Sequence, residues 1–567
     1  MSVANANARG ACALVSALAE QAAHAVISPG SRNTPVALAL HAAASIETHV
    51  VLDERTAGFF ALGLARATGK PVILSCTSGS AGAHYLPAII EAFEGLAPLV
   101  AITADRPPEL HGHAAPQTTR QTELFGSHVL SRYDLPLPDT ASDNEFYSLG
   151  SRALSIAVGG PGPVHLNAPF REPLWAENTS YSVRGPSPSA SVKPAGDSKS
   201  RRAVEQALAG IQRGLVIVGA RARQDRLDGD FEFARNCHQL ANAIGWPILT
   251  DVTSGARHSP VESPGHITGF DALLRSETFA QTTPDRVLLI GRPPTSKVLN
   301  RWLSRERVPA VVLSHRPDRR DPTIELAQGV AADPTAALTG WSVEQAADTD
   351  WFSHWTRGEN AFSAALKNLE PDWEGPIART VAHAMPDGGL LHLASSMPIR
   401  DVDGFCGPLP RPVTVVANRG VNGIDGLIAT AAGQSMGWSR GPVTLLIGDL
   451  AFLHDLGSLR DAAARQMSLT VVVVNNGGGH IFDFLPISKH PDAFERYFLT
   501  PQNPNLADLA RACGARHSKA ESTPALRDAV LTANERPGVD VIEVIVDGTR
   551  NRPRHEDFYR RLHGELS

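Results

Sequence analysis

Two segments in the last third of the chain set oxygen-bearing side chains at a spacing suited to metal chemistry. Gly448-Asp449 closes an apolar stretch, Leu450–Arg465 reads as a helix, and Leu469–Val474 is a second apolar stretch ending in Asn475-Asn476-Gly477-Gly478-Gly479. A strand–helix–strand unit of this length predicts two neighbouring parallel strands, with Asp449 and Asn476, 27 positions apart, at the same end. A carboxylate, an amide oxygen and a backbone carbonyl in a Gly-rich turn make a hard oxygen site suited to Mg²⁺, and that ion would bridge to a diphosphate. A tight turn with an Asp capping a helix is the plainer reading of the same residues. No Gly-x-x-x-x-Gly-Lys-Ser/Thr is present, and no Gly-x-Gly-x-x-Gly follows the first strand, so neither a P-loop nor a dinucleotide fingerprint is indicated.

Asp53-Glu54-Arg55 ends another short strand and runs into a helix carrying Phe59, Phe60 and Leu62. A carboxyl in that setting is expected to be near-buried, and burial without a partner would raise its pKa and let it share a proton with a basic nitrogen. An acid at a helix start is equally what the helix dipole favours. Ser28-Pro-Gly-Ser-Arg-Asn-Thr34 leaves the first strand in a turn and enters a helix, so its hydroxyls, free N–H groups and Arg32 suit an anion, or else form an ordinary cap. More cations follow strands or turns: Arg106 in Thr103-Ala-Asp-Arg-Pro-Pro-Glu109, Lys297, Arg400 and Arg419. Singly each reads as a surface charge. Together, in a chain of net charge −6, they suggest a substrate with more than one carboxylate. The 21 histidines include no HxH or HExxH pattern, so histidine ligation of a metal is not indicated by motif.

The elements that must position these residues repeat in three blocks of short apolar strands alternating with helices, the pattern of parallel α/β domains. The first block has strands at Ala25–Ser28, His49–Asp53, Pro71–Cys76 and Pro98–Thr103, with helices such as Arg55–Thr68 and Ala81–Glu94 between them. The second has Gly214–Gly219, Pro247–Thr250, Arg286–Gly291 and Pro309–Leu313; the third has Gly389–Leu393, Val413–Ala417, Val443–Ile447, Leu469–Asn475 and Val539–Val546. Gly185–Ser200 and Trp341–Trp373 read as linkers, the latter a polar crossing with a short helix. The 567 residues suffice for three or four domains at roughly 150 each. With 43% hydrophobic and 19% charged residues the chain is neither disordered nor fibrous, and its mild acidity does not point to nucleic acid as the main partner. No apolar run approaches the roughly 18 residues of a membrane span, and Ala11–Ala19 reads as an amphipathic first helix rather than a signal segment. Five scattered cysteines without a CxxC predict neither a disulfide framework nor a zinc site, and a cytoplasmic location is expected.

The segments SPGSRNTP (28–35), LDERTAGFFALGLA (52–65), TADRPPEL (103–110), NRGVNGIDG (418–426), GDLAFLHDL (448–456) and NNGGGHIFDFLP (475–486), in that order, resemble the thiamine-diphosphate (ThDP) enzymes of the decarboxylase type. Gly448-Asp449-Leu450 in place of the usual GDG narrows the resemblance to the MenD family of 2-succinyl-5-enolpyruvyl-6-hydroxy-3-cyclohexene-1-carboxylate (SEPHCHC) synthases of menaquinone biosynthesis, with the middle block matching weakly. This resemblance implies an α/β fold of three domains, each a mostly parallel sheet flanked by helices: a pyrimidine-binding domain (1–185), a central domain (200–345) and a diphosphate-binding domain (374–567). It implies a homodimer or homotetramer with ThDP at the subunit interface. It also implies that Glu54 is catalytic at the cofactor's aminopyrimidine, that Asp449, Asn476 and the Gly478 carbonyl hold Mg²⁺ (or Mn²⁺), and that Ile424, Leu450 and Ile481 contact the cofactor. The implied reaction decarboxylates 2-oxoglutarate and adds the succinyl unit to isochorismate. Ser31, Arg32, Arg106, Gln117, Lys297, Ser396, Arg400 and Arg419 would hold these dicarboxylates, with Phe482 and Leu485 as an apolar wall. The sequence departs from the family pattern at His84, His480 and Val298, the last standing where some members carry a second cation. Another ThDP-dependent 2-oxoacid decarboxylase or carboligase, a nucleotide- or flavin-binding α/β protein using Val216–Gly219, and a catalytically silent ThDP-fold subunit are the alternatives.

Overall fold

Apolar runs of four to seven residues become strands here because parallel sheets are covered on both faces, leaving few positions for outward polar residues. The computed structural model describes residues 2–186, 197–220, 230–318, 324–341 and 347–566. Among these residues it contains three parallel six-stranded sheets. The first holds β1 (His24–Ile27), β2 (Glu47–Val50), β3 (Val72–Cys76), β4 (Leu99–Asp105), β5 (Ser131–Asp134) and β6 (Pro163–Pro169), in the order β2-β1-β3-β4-β6-β5. The second holds β7 (Gly214–Val218), β8 (Ile248–Thr250), β9 (His266–Ile267), β10 (Arg286–Ile290), β11 (Ala310–Ser314) and β12 (Leu326–Ala331), in the order β12-β11-β10-β7-β8-β9. The third holds β13 (Leu390–Leu393), β14 (Thr414–Ala417), β15 (Val443–Gly448), β16 (Leu469–Asn475), β17 (Arg516–Lys519) and β18 (Val539–Ile545), in the order β14-β13-β15-β16-β18-β17.

The chain separates into two compact units. One comprises Met1–Val192, Asn418–Ser439 and His454–Met467; the other comprises Lys193–Ala417, Arg440–Leu453 and Ser468–Ser567. The first unit contains the first sheet, with a core that includes Ile27, Val36, Leu40, Ile73, Val100, Ile102, Phe146, Leu166 and Phe170. Within it, helix Leu427–Gly437 lies against helix Glu54–Thr68 backbone to backbone. A Cβ on Gly63 would stand 2.0 Å from the Thr430 carbonyl oxygen, and one on Gly433 2.1 Å from that of Phe60, so both positions require glycine for the helices to cross. The first helix, Val3–Leu18, is capped by the Ser2 hydroxyl. No described helix is long and apolar enough to cross a membrane.

Four local expectations need correction. The strand expected at His49–Asp53 is Glu47–Val50, because Asp53 instead caps helix Glu54–Thr68 by accepting from the Thr56 N–H at 3.1 Å. The strand β6 was not anticipated. Its buried face carries His165 and Asn167, polar residues that mask the apolar pattern but are satisfied by Thr103 at 2.8 Å and Asp105 at 3.0 Å. The helix expected over Leu450–Arg465 breaks at Asp455, whose fully buried carboxylate accepts from the Ala429 N–H at 3.0 Å and the Ser458 hydroxyl at 2.7 Å. Finally, Trp341–Trp373 contains an 18-residue helix, Thr349–Leu366, rather than a short one. Its buried Trp351, Trp355, Phe362 and Leu366 recur at helical spacing and join Trp302, Phe405 and Phe558 in the second unit's core, while Ser353, Arg357 and Asn360 between them are exposed and Glu359 turns inward to accept from the Thr268 and Gly269 N–H groups. Of the linker at Gly185–Ser200, residues 187–196 lie outside the described residues.

Candidate active site

In the second unit, β15 and β16 pair in register with Gly448 opposite Val474, so their carboxyl ends stand side by side and bring Asp449 and Asn476 together. Asp449 is buried. Its carboxylate accepts from the Leu450 N–H at 2.7 Å and the Gly477 N–H at 3.0 Å; burial raises its pKa, and the backbone donors lower it. Asn476 donates from its amide nitrogen to Glu374 at 2.8 Å, which turns the amide oxygen towards the Gly-rich turn, where the Gly478 N–H reaches it at 3.3 Å. Gly478 has φ +146°, and a Cβ there would stand 2.4 Å from the Leu499 carbonyl oxygen. His480 turns onto Asp483 at 2.7 Å, beneath Gly548.

Glu374 belongs to a buried acid–base cluster that sequence reasoning missed. Burial pushes the Glu374 and Asp401 carboxyls up to about 8 and the His555 imidazole down to about 4. His555 Nε2 lies 3.1 Å from Asp401 Oδ1. Glu374 opens a helix just before Gly375-Pro376, a legible start position, but nothing in its spacing announces Asn476.

A cavity of about 590 Å³ in the same unit gathers Lys297, Arg400, Ile481, Phe482 and Leu485, all expected at the site, together with Val298, Arg301, Asp271, Arg275, Arg552 and Tyr559. Ser396 precedes the lining residue Met397 and sits at φ +74°, and the Arg400 guanidinium donates to its carbonyl oxygen. Arg275 is paired with Asp271 at 2.8 Å and Arg552 with Glu556 at 2.8 Å. Lys297 and Arg301, one turn apart on helix Lys297–Arg305, have no acidic partner among the described residues. Two uncompensated cations over an apolar wall suit a carboxylate-bearing ligand.

The first unit holds the remaining expected residues. Glu54 opens helix Glu54–Thr68 and is half-buried rather than near-buried, because the helix's first turn is not covered as its later turns are. Its carboxyl has no hydrogen-bond partner among the described residues. Leu52, two residues earlier, is 65% exposed. Arg32 is buried and donates to the Phe170 carbonyl at 2.9 Å and to Glu172 at 2.7 Å, leaving Nε without a partner among the described residues. Burial and nearby Arg106 lower its pKa. Arg106 donates to the Ser78 hydroxyl at 3.0 Å and to Gln117 at 3.3 Å, so Arg32, Arg106 and Gln117 cluster, with Ser31 exposed on the turn before Arg32. The loop bearing Arg419 and Ile424 is anchored by buried Glu91, which accepts from the Gly420 N–H at 2.9 Å, the Val421 N–H at 2.8 Å and Arg66 at 2.7 Å. Arg66 also donates to the Asn418 side chain. Ile424, at the loop tip, is 37% exposed. Glu91 was not anticipated, although a carboxylate within Ala88-Ile-Ile-Glu-Ala-Phe93 is a polar residue on an apolar helix face.

Three family models cover most of this chain: the thiamine pyrophosphate enzyme N-terminal TPP binding domain over residues 8–124, the middle domain of thiamine pyrophosphate enzymes over 198–393, and the C-terminal TPP binding domain over 408–544. The 2-succinyl-5-enolpyruvyl-6-hydroxy-3-cyclohexene-1-carboxylate synthase of Geobacillus kaustophilus is 38% identical over 98% of each chain. Those of Myxococcus xanthus (38%, covering 96% of this chain and 95% of that one) and Lysinibacillus sphaericus (36%, covering 95% of each) are similar to it at the same scale. The chain belongs to the SEPHCHC synthase family.

As a member of that family it is a ThDP-dependent enzyme, and the donor set can be tested against the cofactor. A SEPHCHC synthase must hold a diphosphate. The buried Asp449 carboxylate and an Asn476 amide whose nitrogen is engaged elsewhere leave oxygens facing a turn that admits no side chain, which fits a hard divalent cation on that diphosphate. The middle block, weak in sequence resemblance, matches its own family model and contributes Lys297 and Arg301 to the cavity.

Proposed function

We propose that this enzyme catalyses the SEPHCHC synthase reaction, joining a succinyl unit from 2-oxoglutarate to isochorismate with loss of CO₂. The single observation carrying the reading is the cavity in which Lys297, Arg301 and Arg400 face Ile481, Phe482 and Leu485, because it matches ligands that are dicarboxylates with apolar carbon frames. When bound, ThDP supplies the electron sink that lets a 2-oxoacid lose CO₂. Asp449, Asn476 and the Gly478 carbonyl would hold Mg²⁺, or Mn²⁺, on its diphosphate, and Leu450 and Ile481 would line its bed. Glu54 would hold and return a proton at the aminopyrimidine, a role suited to a half-buried carboxyl with no competing partner among the described residues. Ile424 would support the cofactor from below, with Glu91 fixing its loop. Ser31, Arg32, Arg106, Gln117, Ser396, Arg400, Arg419 and Lys297 would orient the carboxylates, and Phe482 and Leu485 would exclude water.

The exposed Leu52 and Ile424, next to or on cofactor-binding elements, support a homodimer or homotetramer that covers them with ThDP at the interface. Domain limits of 1–185, 200–345 and 374–567 place one sheet in each domain, and a cytoplasmic location accords with small polar substrates. The test is spectrophotometric. Isochorismate absorbance should fall only when enzyme, ThDP, Mg²⁺ and 2-oxoglutarate are all present, and should hold steady with Glu54→Gln. If 2-oxoglutarate loses CO₂ while isochorismate persists, the acceptor is wrong.

A further inference from the structure

Three ligand atoms that no sequence motif joins meet at the edge of the first sheet. β1 and β2 pair in parallel with His24 opposite Glu47 and Val26 opposite His49. Residues two apart on a strand share a face, so Glu47 and His49 project together, and His24, directly across from Glu47, projects with them. His24 Nδ1 lies 3.2 Å from His49 Nε2 and 3.5 Å from Glu47 Oε2, and Glu47 Oε1 lies 4.0 Å from His49 Nε2. Tetrahedral ligands about 2.0–2.1 Å from zinc stand about 3.3–3.4 Å from one another. The His24–His49 and His24–Glu47 separations already match, and with a single Glu47 oxygen the three ligand atoms all lie within 4.8 Å of one another, so a rotation of the Glu47 side chain, which is 60% exposed, brings that one oxygen to both imidazoles.

The setting favours neutral imidazoles, the form that ligates metals. Burial lowers the His24 pKa and pushes that of His49 down to about 4, and the Phe60 ring meets the His49 ring edge-on, with 5.5 Å between ring centres. Two cations act on the pair: Lys70 on His24, and Arg465 on His49. Arg465 is itself paired with Asp461 at 2.9 Å, and the Glu47 carboxylate offsets both.

We propose that His24, Glu47 and His49 form a site for a borderline divalent cation of the zinc class, with three protein ligands and a water on the exposed side of Glu47. Its nitrogen-rich donors differ from the all-oxygen Asp449–Asn476 pair, so Mg²⁺ does not compete for it. A metal there ties the edge strand β2 to β1. Only Val51, Leu52 and Asp53 separate β2 from Glu54, so the ion would also brace the entry to that helix.

The experiment titrates Co²⁺ into holoenzyme already saturated with ThDP and Mg²⁺. The expected result is one equivalent per chain with the intense visible absorption of four-coordinate Co²⁺, displaced by Zn²⁺, and a Tm raised by Zn²⁺. His24→Gln and His49→Gln should each abolish the absorption and the Tm shift while keeping turnover measured without added zinc. Should the buried His49 variant fail to fold, Glu47→Gln at the exposed ligand should weaken binding about tenfold or more. Absence of the four-coordinate spectrum, or its survival in His24→Gln, would mean adventitious surface binding only and overturn the proposal.

Discussion

The first and third sheets have the same frame and carry different chemistry. Numbered within each sheet, both run 2-1-3-4-6-5, whereas the middle sheet runs 6-5-4-1-2-3. In both like-ordered sheets the notable residues lie just beyond the carboxyl ends of strands, as open parallel sheets dictate. After β1, β2 and β4 of the first sheet these are Ser31, Arg32, Glu54 and Arg106; after β15 and β16 of the third they are Asp449 and Asn476. Topology therefore fixes where chemistry can sit, and the loop residues decide which chemistry it is. On the proposed reading, one end moves a proton and recognises carboxylates, and the other holds an oxygen-ligated cation.

Substitutions that should separate these two roles give the largest expected effects. Glu54→Gln should lower kcat by about 10²–10⁴-fold with ThDP affinity kept. Asp449→Ala should abolish Mg²⁺-dependent ThDP retention, read by calorimetry. The same phenotype from both would dissolve the contrast.

A pH series tests the first sheet alone. His165 is held neutral by burial, its pKa pushed down to about 4 from 6.5. The unfolded chain therefore takes up this proton first. The stability tied to His165 is fully present above about pH 6.5 and is lost as pH falls towards 4, amounting to about 3 kcal/mol. Urea midpoints of His165→Gln should fall less steeply over that window than those of the parent.

Gly63→Ala probes the helix crossing that belongs to the first unit. Alanine favours helix, but its Cβ would press on the Thr430 carbonyl, so a net loss of about 1–3 kcal/mol is expected in urea unfolding. The smallest effect falls on the middle sheet's contribution. Arg301→Ala should raise KM for one dicarboxylate about tenfold with kcat nearly unchanged, since it removes a charge rather than a reacting group.

Much of this was legible because it is local. The strands β7, β10, β15 and β16 are apolar runs, and Asp449 with Asn476 at the ends of β15 and β16 follows from strand–helix–strand spacing alone. Asp455, Glu91 and Glu374 were not legible, since each bonds to a segment far away in sequence: Asp455 to Ala429, Glu91 to Gly420 and Val421, Glu374 to Asn476. β6 escaped notice because its buried His165 and Asn167 look like loop residues until Thr103 and Asp105 are placed beside them.

By itself, then, the sequence determined the α/β class, the alternation of strand and helix, and the residue types waiting at strand ends, because hydrophobic periodicity and turn chemistry act over a few residues. Only the tertiary structure decided that Arg32 spends two of its donors on Phe170 and Glu172, that Arg301 stands beside Lys297 with no acidic partner among the described residues, and that His24 meets Glu47 and His49. These are properties of strand register and helix crossing. They bring together residues whose separation along the chain carries no periodic trace.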